Sequence, residues 1–357
     1  MNFIRRGLGI EAIRNVSLAL KREALALSHS QRTSGIHIKY DAVTPRLSLL
    51  RKTCRPFIAP QGEGWMSGAV YDARPVRFND RTFYYFCGQP AYRTDYYLFV
   101  GLAQSHGGVL SVRKQPVIVP DIEKRGVDIP AFTVHRGAVV GIYADNFGPA
   151  RDRRGLNADL VLLTSQDGET FTKRIISKPF ANSGYKQIGL PWLLADGDRL
   201  RLYLRAKVKG AVLLLTTDID FDAATIGPLS VAARFRRNPI NVAVTKRRGT
   251  YILFSGATVG GGAYAAPSRD GNSFDFDREV MLTGDFEWGW DYYKIACCPD
   301  NTTEDEVDLC YTTGKGPSIG HATFDAAALI EYWKGAKTAS APSPFRPQDR
   351  KNRCGVS

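Results

Sequence analysis

The feature that most constrains this chain is a short turn that occurs twice. Thr164-Ser165-Gln166-Asp167-Gly168-Glu169-Thr170-Phe171 and Pro267-Ser268-Arg269-Asp270-Gly271-Asn272-Ser273-Phe274 carry Ser, Asp, Gly and Phe at one spacing. Each copy follows a short apolar run, the pattern of strand, tight Asp-Gly turn, strand.

The turn belongs to a longer unit that begins near a proline, runs through apolar positions and returns as an aromatic-rich strand. Four copies read Arg74-Pro75-Val76-Arg77-Phe78 with Tyr84-Tyr85-Phe86, Ile129-Pro130-Ala131-Phe132 with Val139-Val140-Gly141-Ile142-Tyr143, Leu190-Pro191-Trp192 with Leu200-Arg201-Leu202-Tyr203, and Asn238-Pro239-Ile240 with Tyr251-Ile252-Leu253-Phe254. Their prolines lie 55, 61 and 48 residues apart, and a proline-free fifth copy spans 291–298 and 307–311. Five units of about four strands each predict an all-β, five-bladed β-propeller over residues 60–325, because each small sheet must bury both faces against its neighbours. In the first unit His106-Gly107-Gly108 takes the place of the Asp-Gly turn, and in the third that turn degenerates to Asp218-Ile219-Asp220-Phe221-Asp222, read as a solvated loop.

The flanks read differently. Residues 1–59 form an extension in which 9–28 has helical apolar spacing, and this N-terminal helix suits a homo-oligomer contact or a peripheral membrane contact. Ile36-His37-Ile38-Lys39-Tyr40 is a strand positioned to complete the last blade and close the ring. Residues 326–357 form a short C-terminal extension, with a helix over Ala322–Trp333 and a disordered basic tail beyond Lys337.

Composition narrows the partners. Forty-eight Lys and Arg against 35 Asp and Glu give a formal charge of +13, which favours anionic ligands. No zinc-finger spacing, RNP strand or helix-turn-helix pattern points to nucleic acid, so none is expected as a partner. The six cysteines form no metal pattern, and adjacent Cys297 and Cys298 in a strand would face opposite sides, so no metal or other cofactor is predicted. The chain shows no apolar signal core and no run of eighteen apolar residues, from which a cytoplasmic location is expected.

In a propeller the leading residues of each innermost strand reach the central opening. That register brings together Asp72, Asp128 and Asp291, three carboxylates far apart in sequence, as glycosidic acid/base or nucleophilic chemistry requires. The same aspartates equally suit strand caps, turn amides or arginine pairs. Trp65, Trp192, Trp288 and Trp290 are candidates for stacking on sugar faces, and Glu63 lies in a Gly-rich loop before the first unit. Arg74, Lys186, Arg236 and Arg237 supply positive charge for a phosphate or carboxylate on the ligand.

The repeated unit, from Ala73-Arg74-Pro75-Val76-Arg77-Phe78 to Thr82-Phe83-Tyr84-Tyr85-Phe86-Cys87-Gly88, with its Ser-x-Asp-Gly turns, resembles the five-bladed propeller glycoside hydrolases, which include arabinanases, xylosidases, invertase-like enzymes and mannoside phosphorylases. The resemblance covers about residues 60–325. It implies a base or nucleophile at the start of the first inner strand, where Asp72 stands two residues before Arg74, and an acid-orienting aspartate matching Asp128. It also implies a general-acid glutamate on a later inner strand; Leu190-Pro191 and Asn238-Pro239 offer none, leaving Glu63, Glu287 and Asp291 as substitutes. Three functions remain open at this level. One is a carbohydrate-active enzyme acting on a short or anionic glycan or activated sugar, such as a sugar phosphate, by hydrolysis or phosphorolysis. The others are a noncatalytic glycan- or protein-binding propeller and a glycosyltransferase using a phosphate-linked donor.

Overall fold

The computed structural model describes residues 44–52, 57–91, 98–106, 109–119, 130–145, 159–177, 179–185, 187–208, 210–235, 239, 241–256, 263–284, 298–299, 304–312 and 318–335. The first described strand is β1 (Arg46–Lys52). Blade one follows as β2 (Ala69–Phe78), β3 (Arg81–Gln89), β4 (Phe99–His106) and β5 (Val109–Val112). Blade two is β6 (Ala131–His135), β7 (Ala138–Asp145), β8 (Asp159–Ser165) and β9 (Thr172–Ile176). Blade three is β10 (Gln187–Asp196), β11 (Arg199–Val208) and β12 (Ala211–Asp220), with β13 (Thr225–Ile226) and β14 (Ser230–Phe235) both paired to β12. Blade four is β15 (Asn241–Arg247), β16 (Thr250–Gly256), β17 (Ala263–Ser268) and β18 (Val280–Gly284). Blade five is β19 (Cys298–Pro299), β20 (Glu306–Thr312) and β21 (Ile319–Asp325), after which comes α1 (Ala326–Trp333). The innermost strands β2, β6, β10, β15 and β19 neighbour one another in that order, and β19 returns to β2. The architecture is the expected five-bladed propeller.

Local sequence explains the inner hairpins. Asn79-Asp80, Arg136-Gly137 and Arg248-Gly249 all have positive φ at both residues, the two-residue turn whose twist matches that of the flanking strands. The two Asp-Gly turns repeat atom for atom. Asp167 Oδ1 accepts from Ser165 Oγ and from the N–H groups of Glu169 and Thr170, each at 2.7 Å. Asp270 Oδ1 accepts from Ser268 Oγ at 3.0 Å and from the N–H groups of Asn272 and Ser273 at 2.8 and 3.1 Å. These donors hold both carboxyls below their ordinary range; the largest cause is the Thr170 N–H for Asp167 and the Asn272 N–H for Asp270.

The glycine and phenylalanine of each turn tie it to the preceding blade. Tyr85 Oη donates to Gly168 O at 2.7 Å and its ring meets Phe171 edge-on at 5.7 Å. Tyr203 does the same one junction pair later, donating to Gly271 O at 3.0 Å with Phe274 edge-on at 6.3 Å. Burial pushes the Tyr203 hydroxyl up to about 12 and the Tyr85 hydroxyl further, so both remain donors. The core accordingly lies between blades: Val76, Tyr85 and Leu102 pack with Phe132 and Val161, and Val140 and Leu162 with Leu193 and Leu202.

Two expectations change, and those for segments 9–28 and 36–40 of the N-terminal extension lie outside the described residues. The segment 218–222 is more than a solvated loop: Asp220 Oδ1 accepts from the N–H groups of Asp222 and Ala223, and Phe221 lies under the Arg174 guanidinium and edge-on to His135, so this turn too grips the blade before it. An N-terminal strand does close the ring, but it is β1, which lies parallel to β18 and antiparallel to β21; the proposed strand 36–40 and the N-terminal helix fall outside the described residues. The C-terminal helix starts at Ala326 rather than Ala322, because β21 runs to Asp325, whose carboxylate caps α1 through the Ala328 N–H at 2.8 Å. No described helix is long and apolar enough to cross a membrane.

Candidate functional site

The leading ends of the inner strands carry the unusual backbone. In β2 the register jumps from Tyr71↔Cys87 to Arg74↔Tyr85, and in β10 from Gly189↔Arg205 to Trp192↔Tyr203. Each bulge starts with a non-glycine residue of positive φ, Asp72 at 52° and Leu190 at 54°. A left-handed non-glycine residue costs about 1–3 kcal/mol and persists only where its surroundings dictate it. Asp72 and Leu190 are therefore counterparts, whereas Pro75 and Pro191 are not. The prolines can drift because an inner strand's axial edge has no ladder partner and loses nothing by lacking an N–H.

Asp72 is 1% exposed. Its N–H donates to Thr312 Oγ1 at the end of β20 (2.9 Å), and its Oδ1 accepts from Asn241 Nδ2 at the start of β15 (3.3 Å). Its Oδ2 is buried and has no hydrogen-bond partner among the described residues. Blades four and five thus converge on one residue of blade one, the former at its carboxyl and the latter at its backbone N–H. Nearby, Tyr71 donates its hydroxyl to Gln89 Oε1 at 3.1 Å and packs with Cys87, Leu98 and Leu190, giving the site an apolar side.

One step further along the inner strands the axis is crossed by a brace. Arg74 donates Nε to Pro130 O at 3.0 Å, and its guanidinium lies 4.7 Å above the Trp192 ring, whose indole N–H donates to Val244 O at 2.6 Å. These two side chains link blades one to four. Toward the other end of the axis lies a cavity of about 370 Å³ lined by Pro75, Phe132, Trp192, Thr245 and Lys246 among others. At its mouth Asp196 accepts from Lys246 Nζ at 2.7 Å and from the Tyr251 hydroxyl. Burial raises the Asp196 carboxyl, but those two hydrogen bonds and the charges of Lys246 and Arg201 together hold the group below its ordinary value.

The remaining sequence candidates distribute as follows. Trp65 packs into blade one, its ring over Gly88, Gly101 and Phe86 and its indole N–H on Lys114 O at 2.9 Å. Glu63 is exposed on the segment leading to β2. Asp128, Asp291, Lys186, Arg236, Arg237, Trp288 and Trp290 lie outside the described residues. Among the described residues no three His, Cys, Asp or Glu side chains are grouped to hold a metal ion. Asn241, Thr312 and Tyr71 are the site residues that sequence reasoning missed; the only available signal was that Asn241 opens the fourth inner strand.

Compared with known proteins, the sequence matches no family model and no curated protein. Solved structures do match. A β-1,2-mannobiose phosphorylase from Listeria innocua, in complex with β-1,2-mannobiose, superposes with a TM-score of 0.60 at 12% identity, over 80% of this chain and 99% of its own. A family 117 glycoside hydrolase from Zobellia galactanivorans gives 0.57 at 14%, over 78% and 91%. The α-L-arabinofuranosidase from Podospora anserina, in complex with cellotriose, gives 0.56 at 11%, over 79% and 98%. The chain shares the fold of the five-bladed glycoside-hydrolase propellers. Within that propeller, the Asp72 carboxyl stands where strands of three blades converge. A carboxyl with one oxygen engaged and the other unengaged is equipped to accept a proton from a hydroxyl or water, or to attack carbon.

Proposed function

We propose that the protein is a carbohydrate-active enzyme in which Asp72 serves as base or nucleophile at a glycosidic bond of a short or anionic glycan or activated sugar. The observation that carries this reading is the buried Asp72 Oδ2 without a partner among the described residues, on a strained bulge at the axis. Leaving such an atom unpaired costs about 1–3 kcal/mol, a cost a ligand hydroxyl would offset. Strained backbone held by its surroundings clusters at functional sites. The fold of the Listeria phosphorylase makes β-1,2-mannobiose the first glycan to try. Asp128 and Asp291 are assigned the orienting and acid roles. Lys186, Arg236 and Arg237 are assigned to the ligand's anionic group, while Arg74 braces the axis.

The test is product formation from β-1,2-mannobiose, other short oligosaccharides and nucleotide sugars, each with and without inorganic phosphate. Asp72→Asn keeps the side chain's shape and is expected to lower turnover roughly 10²–10⁴-fold with the far-ultraviolet spectrum unchanged. Full turnover by that variant would overturn the assignment. A second reading, a noncatalytic glycan-binding propeller, is favoured by one observation: Leu190 fills in blade three the position Asp72 fills in blade one, so that blade presents no carboxylate there. Saturable binding of these sugars without product would select it.

A further inference from the structure

We propose that Asn241 is a positioning residue for Asp72, turning Oδ2, which has no partner among the described residues, toward the ligand, while Thr312 fixes the backbone on which Asp72 stands. This rests on the reading of Asp72 given above. An asparagine amide can face a neighbour with its oxygen or its nitrogen, and a second contact must decide which. Here Val242 N–H donates to Asn241 Oδ1 at 2.8 Å, so that end must be the acceptor. The other end, Nδ2, is therefore the donor aimed at Asp72 Oδ1, at 3.3 Å. Asn241 is 3% exposed and packed, which leaves the amide little freedom to turn. A carboxyl held by one oxygen has lost rotation about its last bond, so the second oxygen keeps one direction.

Thr312 acts at the other end of the residue. It is 1% exposed, and its Oγ1 takes the Asp72 N–H at 2.9 Å, a backbone donor that the bulge removes from the β2–β3 ladder. Leu190 is the internal comparison: the same bulge and the same positive φ occur in blade three with an apolar side chain. The left-handed backbone thus recurs on two inner strands, β2 and β10, whatever the side chain. What sets blade one apart is a carboxyl at that point and a dedicated amide from blade four to orient it.

The experiment uses the full chain and three changes: Asn241→Asp, the exchanged pair Asp72→Asn with Asn241→Asp, and Asn241→Ala. Asn241→Asp keeps the acceptor for Val242 N–H but sets a carboxyl oxygen against Asp72 Oδ1. Two carboxyls at that distance must share a proton, so the pair loses its last proton well above the ordinary carboxylate range in the folded state, and the folded state is favoured at low pH and loses that advantage as pH rises. The urea midpoint of this variant is expected to fall further below wild type at about pH 7.5 than at about pH 5. The exchanged pair restores a donor opposite an acceptor and is expected to recover the midpoint. Equal deficits at both pH values, with no recovery in the exchanged pair, would overturn the contact.

The catalytic half is read as a split. Asn241→Ala is expected to lower kcat roughly tenfold to hundredfold with KM nearly unchanged, since orientation rather than binding is lost. The exchanged pair, folded but with its carboxyl on the wrong strand, is expected to stay inactive. If Asp72→Asn is inactive while Asn241→Ala keeps wild-type kcat, only the positioning role fails. If Asp72→Asn stays active, the reading of Asp72 itself fails. Absence of turnover by the wild type on every sugar removes the catalytic role of both residues, and the stability arm still decides the contact.

Discussion

Replacing Gly168 by alanine isolates the force that holds one blade to the next. Gly168 has a φ of 77°, and a Cβ there would lie 2.9, 3.0 and 3.2 Å from three ring atoms of Phe83 in the preceding blade. Gly137 has nearly the same φ, 72°, with nothing within 4 Å of its Cβ position. Both substitutions incur the left-handed backbone penalty of about 1–2 kcal/mol. Both recover about 0.4–1 kcal/mol by stiffening the unfolded chain. Only Gly168→Ala must also push the edge of a ring that is 1% exposed and stacked 6.2 Å from Tyr85. Such overpacking costs about 1–3 kcal/mol, which is the expected difference between the variants. At an m-value of about 2–3 kcal/mol/M this separates their urea midpoints by roughly 0.3–1.5 M, followed by circular dichroism and tryptophan fluorescence with coincident transitions. Tyr85→Phe, which strips the donor from Gly168 O, is expected to be less than additive with Gly168→Ala because both act on one junction. Identical midpoints for the two alanine variants would refute the view that the turn glycine is selected by the neighbouring blade.

Two further outcomes follow from the fold. His135 is 3% exposed with neither ring nitrogen partnered among the described residues, and burial first, then the Arg136 charge, holds its pKa down against the opposing pull of Asp198 and Asp222. Its neutral form is the folded one, so stability present above the ordinary histidine pKa of about 6.5 is lost as pH falls, and His135→Phe should remove that loss at little cost in thermal-melt profiles across this range. Deleting residues through Lys52 removes β1 and bares edges of β18 and β21; the truncated chain is expected to melt well below the full chain or to associate on gel filtration, and an unchanged melt would contradict the ring-closing role.

How much of this was legible follows from distance along the chain. The Asp-Gly turns, the inner hairpins and the placing of Asp72 on an axial strand are local, with contacts within three residues or across a tight hairpin, and sequence reading reached them. What makes Asp72 unusual is not local: Asn241 is 169 residues away and Thr312 is 240. Aligning the repeats on their prolines misled the comparison of blades, because Pro75 follows its bulge and Pro191 lies inside one; the backbone shows Asp72 opposite Leu190. The strand expected at 36–40 lies outside the described residues, and β1, Arg-Leu-Ser-Leu-Leu-Arg-Lys, which pairs with β18 and β21, has a mixed pattern that marks no blade of its own. Tyr85 and Tyr203 read as ordinary strand aromatics until their hydroxyls are seen on the glycine carbonyls of the next blade.

If Asp72 is the base or nucleophile, its carboxyl meets a sugar. Crystals soaked with β-1,2-mannobiose and inorganic phosphate, and then with short oligosaccharides and nucleotide sugars, test it most directly. A ligand oxygen is expected at about 2.6–3.2 Å from Asp72 Oδ2, with Asn241 still on Oδ1. An axis without sugar at saturating ligand, with Asp72 Oδ2 occupied by an arginine or lysine of the protein, would contradict it.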